Sequence, residues 1–244
     1  VYLAQTGQLY LEVLTPFLDK VWCVGPSFRA EPDADERHLT EFTLIEIEFK
    51  GNEIRFSREL SKLDNFVLSF GDALSKNKIK YVIVSGYIAI LFGRSRISED
   101  VDFLIECIPF EKFLKFWAEI ELKYKCLNTS GKGYLEKNLA IRMAKKGSFI
   151  PNAEIKFVKS DLDRYSLEHR KHVKLGSGSL FISPLELQIP YKLFLGSEKD
   201  IEDARFLYRL FKENLDAGVL TKFLIKLKIP SKNIEKYLGA VNES

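Results

Sequence analysis

The sequence predicts a mixed α/β (α+β) fold: a small mixed sheet flanked by helices, a helical C-terminal region, and an antiparallel β fragment in front. Three observations support this prediction. Residues 20–51 hold two runs in which apolar and polar side chains alternate, as they do in strands. Residues 58–182 interleave short β-branched runs with stretches of helical apolar spacing. Beyond residue 183 the spacing is helical almost throughout.

The β fragment consists of "KVWCVGPSFRAE" and "HLTEFTLIEIEFKG", separated by the charged loop "PDADE". Two strands joined by such a loop form an antiparallel pair. The following "KGNEIRFS" loses periodicity and predicts a junction. Charge changes sign there: residues 1–52 hold 4 basic and 9 acidic residues, and residues 53–244 hold 33 and 25. We therefore predict domains at residues 1–52, 53–182 and 183–244.

Composition limits the class of protein. With 46% hydrophobic and 13% aromatic residues the chain can build a core. No apolar run approaches eighteen residues and no signal peptide is recognisable, so we expect no membrane span and a cytoplasmic location. Cys23, Cys107 and Cys126 are widely spaced and predict reduced core thiols. The mildly basic second part is compatible with nucleic acid or nucleotide phosphate, without proving either.

The second part reads as alternating helices and strands. A helix from Arg58 buries one face of regularly spaced apolar residues. Strands are predicted at "KYVIVSG", "VDFLIEC", "LAIRMAK" and "AEIKFVK", and helices at "YIAILFG" and "PFEKFLKFWAEIELKY". The last region is expected to begin with Ser183 as N-cap, Pro184 in the first turn and Glu186 closing a capping box.

Two carboxylates stand out in "RISEDVDFLI". Strand side chains alternate, so Asp100 and Asp102 point to one side of an otherwise apolar strand. Ionised carboxylates this close repel each other, and a cation between them removes the conflict. Mg²⁺ is the natural candidate, because it prefers oxygen ligands and substrate phosphates. The alternative is an edge strand whose polar face is solvated. Considered without its context, the pair favours this alternative.

The context of the pair favours chemistry. "VIVSG" is a strand that ends at Ser85 and Gly86 and opens a helix, where backbone N–H groups suit an anion. The order of strand, small-residue turn, helix and Asp-x-Asp strand resembles the nucleotidyltransferase superfamily, most closely its minimal, toxin–antitoxin-related AbiE type. The order here is Ser-Gly, where the family usually has Gly-Ser.

This resemblance covers residues 58–213 and implies a set of roles. Asp100 and Asp102 hold Mg²⁺, while Ser85 and Gly86 cradle the phosphates. Glu154 in "AEIKFV" matches the family's third acid, as metal ligand or as base, although a strand residue paired with Lys156 is an equal alternative. Further nucleotide-binding candidates lie at Arg94, Arg96, Lys192 and Asp200.

Ordinary structural roles compete for several of these residues. Lys199 and Asp203 are spaced as a helical salt pair, and Arg94 and Arg96 are compatible with simple solvation. His169 and His172, three apart, suit a metal less well than a solvated helix.

The first fifty residues point elsewhere. "TGQLYLE" and "SFRAEPDADERHLTEF" resemble class II aminoacyl-tRNA synthetases around their motif 2, most closely asparaginyl enzymes and their archaeal asparagine-making paralogues. The resemblance implies that Arg29 binds the α-phosphate of ATP bidentately. The remaining implied roles are distal phosphates for Arg37 and His38, adenine stacking for Phe42, and amino-acid contacts for Gln8 and Glu31.

Two functional hypotheses follow. The first is a Mg²⁺-dependent enzyme that moves a nucleoside monophosphate from a nucleoside triphosphate to a hydroxyl of tRNA or protein. The second is a synthetase-like fragment that binds ATP, asparagine or tRNA without complete ligase activity, because the glycine-rich motif 3 and the motif 1 helix are not recognisable. A homo-oligomer is left open, and no membrane partner is expected.

Overall fold

The structure is a computed structural model that describes residues 20–28, 41–49, 53–56, 60–96, 98–128, 133, 137 and 139–239. For the first three ranges it gives the backbone and the side chain of Ile54. The chain forms two compact units, Val1–Ile54 and Arg55–Ser244. The predicted domain boundaries stay predictions.

In the first unit, β1 (Lys20–Phe28) pairs antiparallel with β2 (Glu41–Phe49). The pairing runs without a bulge from Lys20 opposite Phe49 to Phe28 opposite Glu41. The predicted antiparallel pair is therefore confirmed. The boundary between the two units, at Ile54 and Arg55, falls in the segment whose loss of periodicity predicted a junction. The same segment also forms a strand, β3 (Glu53–Phe56), which the sequence pattern did not predict.

The second unit is built on a mixed sheet, whose strands β4 to β10 run in the order β9-β10-β4-β5-β8-β7-β6. Strand β5 pairs antiparallel with β4 and parallel with β8, so it lies in the middle. The bounds are β4 Tyr81–Val84, β5 Asp100–Ile105, β6 Tyr124–Cys126, β7 Ile141–Lys145, β8 Asn152–Phe157, β9 Lys171–Leu175 and β10 Gly178–Ile182.

Eight helices accompany these strands in the described part of the chain. They are α1 Lys62–Lys76, α2 Gly86–Leu91, α3 Phe110–Ile120, α4 Asp161–Glu168, α5 Leu185–Leu195, α6 Glu198–Phe211, α7 Ala217–Lys226 and α8 Ser231–Leu238. The predicted mixed sheet flanked by helices, with a helical C-terminal region, is confirmed. None of the described helices is long and apolar enough to cross a membrane.

One face of the sheet is closed by an aromatic core. Phe103 of β5 points to this face, and its ring centroid lies 5.1 Å from that of Phe70 on α1. The ring of Phe70 also packs edge-on against Phe116 of α3 and Tyr124 of β6. Because β5 alternates, Asp100 and Asp102 are directed to the opposite face.

Several sequence expectations are corrected in this unit. His169 ends α4 and His172 lies in β9, so the two histidines do not share a helix. Ser183 does not cap α5: Pro184 takes that position, and the Ser183 hydroxyl lies 2.8 Å from that of Ser166. The thiols of Cys107 and Cys126 are free, but they are exposed and half-buried respectively, not core. The side chain of Cys23 lies outside the described residues.

A cluster of charged side chains joins α5 and α6 to the loop before β5, and we call it the interhelix ion network. Its anchor is Asp203 of α6, which is completely buried and pairs with Arg94, Arg96 and Lys192. The ammonium of Lys192 lies 2.6 Å from Asp203 and 3.3 Å from Asp200. Burial lowers the pKa of Lys192 to about 8, although Asp200 opposes that change.

The network predicts a large stability effect at Asp203. In Asp203→Asn the buried cations lose their shared anion, and breaking a buried ion pair from one side costs about 3–5 kcal/mol. Urea denaturation should show this loss in the free energy of unfolding. Glu202→Gln is the matched control, because Glu202 pairs with Arg94 but is 54% exposed, and exposed pairs contribute about 1 kcal/mol or less. Equal losses in the two variants would contradict this account.

Candidate active site

Three carboxylates lie on one face of the second unit's sheet. Strands β5 and β8 pair in parallel, with Asp100 opposite Asn152 and Asp102 opposite Glu154. Residues directly opposite each other on neighbouring strands point to the same side. The sequence expectation that Glu154 comes from a later strand beside Asp100 and Asp102 therefore agrees with the observed register. The structure brings these three acids together.

Two protein cations hold the three acids. The ammonium of Lys156, two residues beyond Glu154 on β8, pairs with Glu154 and lies 3.4 Å from Asp102. The guanidinium of Arg142 on β7 donates to Glu154 Oε2 from Nε at 3.0 Å and from Nη2 at 2.8 Å. It also forms an ion pair with Asp100 at 3.8 Å. Each carboxylate thus has a basic partner.

The pKa values of Asp102 and Glu154 are nevertheless shifted in opposite directions. Burial raises the pKa of Asp102, and the neighbouring charges of Glu154 and Asp100 add to that rise while Lys156 opposes it. Burial acts in the same direction on Glu154, but hydrogen bonds from Lys156 and Arg142 outweigh it and lower the pKa of Glu154. Glu154 is therefore a fully ionised carboxylate near neutral pH, whereas Asp102 carries its charge at a cost.

A cavity of about 310 Å³ opens beside Asp102 and Lys156. The lining includes Val84 at the end of β4, Ser85 directly after it, Leu104 of β5, Phe157 at the end of β8 and Lys159 beyond it. The remaining walls come from α4 and α5. The residues from these two helices are Leu162, Asp163, Ser166, Leu187, Gln188, Tyr191 and Leu195. A cavity of this size that combines an apolar wall with a few polar groups is suited to a small-molecule ligand.

Ser85 of the small-residue turn lines this cavity. Ser85 has a φ of 67°, which is uncommon for a residue with a side chain, and its N–H donates to Gln188 Oε1 at 3.0 Å. Such backbone strain is often found at functional sites. At Gly86, an added Cβ would lie 3.0 Å from Arg96 Nη2, so a small residue lets the guanidinium approach the start of α2.

The remaining nucleotide-binding candidates meet one another instead of the cavity. Arg94, Arg96, Lys192 and Asp200 all belong to the interhelix ion network, and none of them lines the cavity. Lys192 has no exposed side-chain surface, so it reaches no ligand in this conformation. Their role in nucleotide binding stays a prediction, and the observed role is to connect α5 and α6 with the loop before β5.

The synthetase-like candidates lie largely outside the described residues. This applies to Gln8, Arg29, Glu31, Arg37 and His38. Phe42 is in β2, with its backbone opposite Ser27, and its side chain is not described. Their predicted contacts stay predictions.

The donor chemistry around Asp102 fits a hard divalent cation. All three acids supply oxygen ligands on one face, which Mg²⁺ prefers. The Oδ1 atom of Asn152, opposite Asp100, is a further oxygen that is buried without a hydrogen-bond partner. Within the described part of the chain, however, no three His, Cys, Asp or Glu side chains are gathered around one ion position. Lys156 and Arg142 hold the acids where they are.

Sequence reasoning gave these two cations no functional role, although a signal for one was available. Lys156 stands at i+2 from Glu154, the same spacing that separates Asp100 from Asp102. Its side chain must therefore lie on the same face of the strand as Glu154. Arg142 is harder to find. Its position opposite Glu154 depends on the register of the β7–β8 pair, and the sequence does not state that register.

Sequence comparison finds proteins similar to the first segment. The family described as tRNA synthetases class II (D, K and N) matches residues 1–70. Asparagine–tRNA ligases are 60% identical over 47 residues in Chloroflexus aurantiacus and 50% over 66 in Herpetosiphon aurantiacus. These matches cover 19% and 27% of this chain. The chain spans only 11% and 14% of those relatives' lengths. The predicted resemblance to asparaginyl-type synthetases is confirmed for this segment.

Structure comparison returns a different class of protein. A crystal structure of an antigenic nucleotidyltransferase-like protein from Paracoccidioides brasiliensis covers 73% of this chain and 93% of its own, with a TM-score of 0.49 and 16% identity. The lincomycin-bound lincosamide antibiotic adenylyltransferase LnuA covers 63% of this chain and 99% of its own, with a TM-score of 0.42 and 13% identity.

Proposed function

We propose that the second unit is a nucleotidyltransferase that uses Mg²⁺ to move a nucleoside monophosphate from a nucleoside triphosphate to a hydroxyl group of tRNA or protein. The single observation that carries this proposal is the placement of Asp100, Asp102 and Glu154 on one sheet face beside a cavity of about 310 Å³. The Ser85–Gly86 turn at the same cavity supports it.

The proposed reaction is an in-line displacement at phosphorus. The acceptor oxygen bonds to the α-phosphorus, the bond from that phosphorus to the bridging oxygen breaks, and pyrophosphate leaves. Bound Mg²⁺ would neutralise the charge on the phosphate oxygens. Asp100 and Asp102 would hold that ion, and Glu154 would complete its ligand set or accept the acceptor's proton. The lowered pKa of Glu154 keeps it ionised, which suits the ligand role.

Substitution of the two aspartates tests the proposal. Asp100→Asn/Asp102→Asn should reduce label transfer from α-labelled nucleoside triphosphates to total tRNA or protein extract by at least about 100-fold. Ion-mediated stabilisation contributes several kcal/mol, and about 1.4 kcal/mol is a factor of ten.

Asp72→Asn is the matched control, because Asp72 is an exposed acid of α1 that pairs only at the surface with Lys76. It should transfer label at the wild-type rate. Equal transfer by the double variant and the wild type would refute the proposed roles of Asp100 and Asp102.

The electrostatics of Asp102 generate a stability prediction as well. Its pKa is raised in the folded protein, so below the unfolded-state pKa both states are protonated and no cost arises. As pH rises through the folded pKa the unfolded chain ionises first, and the folded state loses stability. Asp102→Asn should therefore raise the melting temperature at pH 7 without Mg²⁺, by roughly 2–4 °C for each kcal/mol gained. The gain should disappear near pH 3.

Calorimetric melting of wild type and Asp102→Asn at both pH values measures this difference. Asp100→Asn is the comparison, because Asp100 is nearly twice as exposed as Asp102. A melting temperature that falls in Asp102→Asn at pH 7 would show that the charge stabilises the fold.

A second candidate function concerns the first segment, and the class II synthetase match over residues 1–70 is the observation that favours it. In this reading residues 1–70 belong to a synthetase-like module that binds ATP, asparagine or tRNA without complete ligase activity. The bidentate geometry of a guanidinium suits the α-phosphate of ATP, and Arg29 is the candidate.

Calorimetric ATP titration separates the two readings. The synthetase-like reading expects Arg29→Ala to weaken ATP binding at least about 10-fold, since a charge-assisted pair contributes about 1.5–3 kcal/mol. It expects Asp100→Asn/Asp102→Asn to leave ATP binding unchanged. If the second substitution, and not the first, weakens binding in the presence of Mg²⁺, the nucleotide site lies in the second unit.

A further inference from the structure

We propose that Lys156 is a positioning residue that occupies the cation site between Asp102 and Glu154 in the free protein and moves to the phosphates of the nucleotide when a divalent ion enters. The inference rests on the nucleotidyltransferase function proposed above. It adds that Lys156 and the divalent ion compete for one position, so that the binding of the ion and the binding of the nucleotide are coupled.

The first argument is the charge arrangement. Lys156 is the only described residue that pairs with both Asp102 and Glu154, and its pair with Asp102 is long at 3.4 Å. A divalent cation held by the same two carboxylates would lie within a few ångströms of this ammonium. Like charges so close in a partly buried site repel strongly. Lys156 and the ion therefore exclude each other.

The second argument is that the cavity offers the ammonium of Lys156 an alternative position. Its side chain is 41% exposed and lines the same cavity of about 310 Å³ as Ser85, so a rotamer change suffices to move the ammonium away from the acids. A lysine side chain is a flexible stem with a strongly hydrated charge, and it binds phosphate as a point charge. The cavity is where the nucleotide phosphates would lie.

The third argument distinguishes Lys156 from Arg142. Arg142 donates two hydrogen bonds to one oxygen of Glu154, and the cavity lining does not include it. The ion pairs of Arg142 are with Glu154 and, at 3.8 Å, with Asp100, whereas Lys156 pairs with both Asp102 and Glu154. Lys156 lines the cavity together with Asp102 and holds the position between Asp102 and Glu154, so it is the cation that must exchange.

The test measures binding of Mn²⁺ alone by electron paramagnetic resonance, and then again with ATP. In the wild type, ATP should strengthen Mn²⁺ binding beyond the contribution of the Mn²⁺–ATP complex itself. In Lys156→Met, Mn²⁺ alone should bind at least about 10-fold more tightly, because its competitor is gone. ATP binding without metal should become weaker, so the coupling between the two ligands should shrink.

Two further variants make the result specific. Lys156→Arg keeps the charge and should bind Mn²⁺ as weakly as the wild type. Lys145→Met removes an exposed lysine at the end of β7 and should change nothing. Lys156→Met should fold, because its side chain is substantially exposed, and its melting curve verifies this.

The outcomes distinguish this inference from the function on which it rests. If Mn²⁺ binds and Asp102→Asn abolishes that binding, while Lys156→Met leaves it unchanged or weaker, the competition is refuted and the ion site stands. If neither the wild type nor Lys156→Met binds Mn²⁺, with or without ATP, both the competition and the proposed function fail.

Discussion

The parallel, in-register pairing of β5 with β8 is the constraint on which the second unit depends. It aligns Asp100, Asp102 and Leu104 with Asn152, Glu154 and Lys156 on one face. It also aligns Phe103 with Ile155 on the other face, where the aromatic core lies. Because strand side chains alternate, a slip of one residue would direct carboxylates into that core and aromatic rings toward solvent. The same register is therefore required both to form the core and to bring the acids together.

The helical region contributes a second constraint through charge. Asp203 pairs with two partly buried arginines from the loop before β5 and with one fully buried lysine from α5. Burying so many charges is favourable only when each keeps a partner, so the arrangement tolerates little relative movement of α5 and α6. The same helices line the cavity or hold its lining in place. The ion network therefore fixes the wall of the cavity that α5 forms. On the sheet side, Lys156 is proposed to move, so that wall can adapt.

Sequence patterns predicted the local features and missed those that depend on tertiary pairing. Alternation located β5 and β8, and the chemistry of Asp-x-Asp indicated the face that matters. The sequence patterns delimited no elements in residues 160–182, where α4, β9 and β10 are only eight, five and five residues long. The role of Ser183 was wrong since its hydroxyl faces Ser166 of α4, a contact seventeen residues away along the chain. The sequence suggested a nucleotide-binding role for Lys192 and did not reveal its buried pairs with Asp200 and Asp203, because those pairs depend on the packing of α5 against α6.

Chemical labelling of Lys192 can report local opening of the second unit around α5 and α6. Acylating reagents attack only the neutral amine, and burial lowers the pKa of Lys192 to about 8 only while its side chain is enclosed. Its side chain has no exposed surface, so a reagent reaches it only when α5 and α6 separate from the rest of the unit. The rate at which this one amine is labelled therefore reports how readily this part of the unit opens under native conditions.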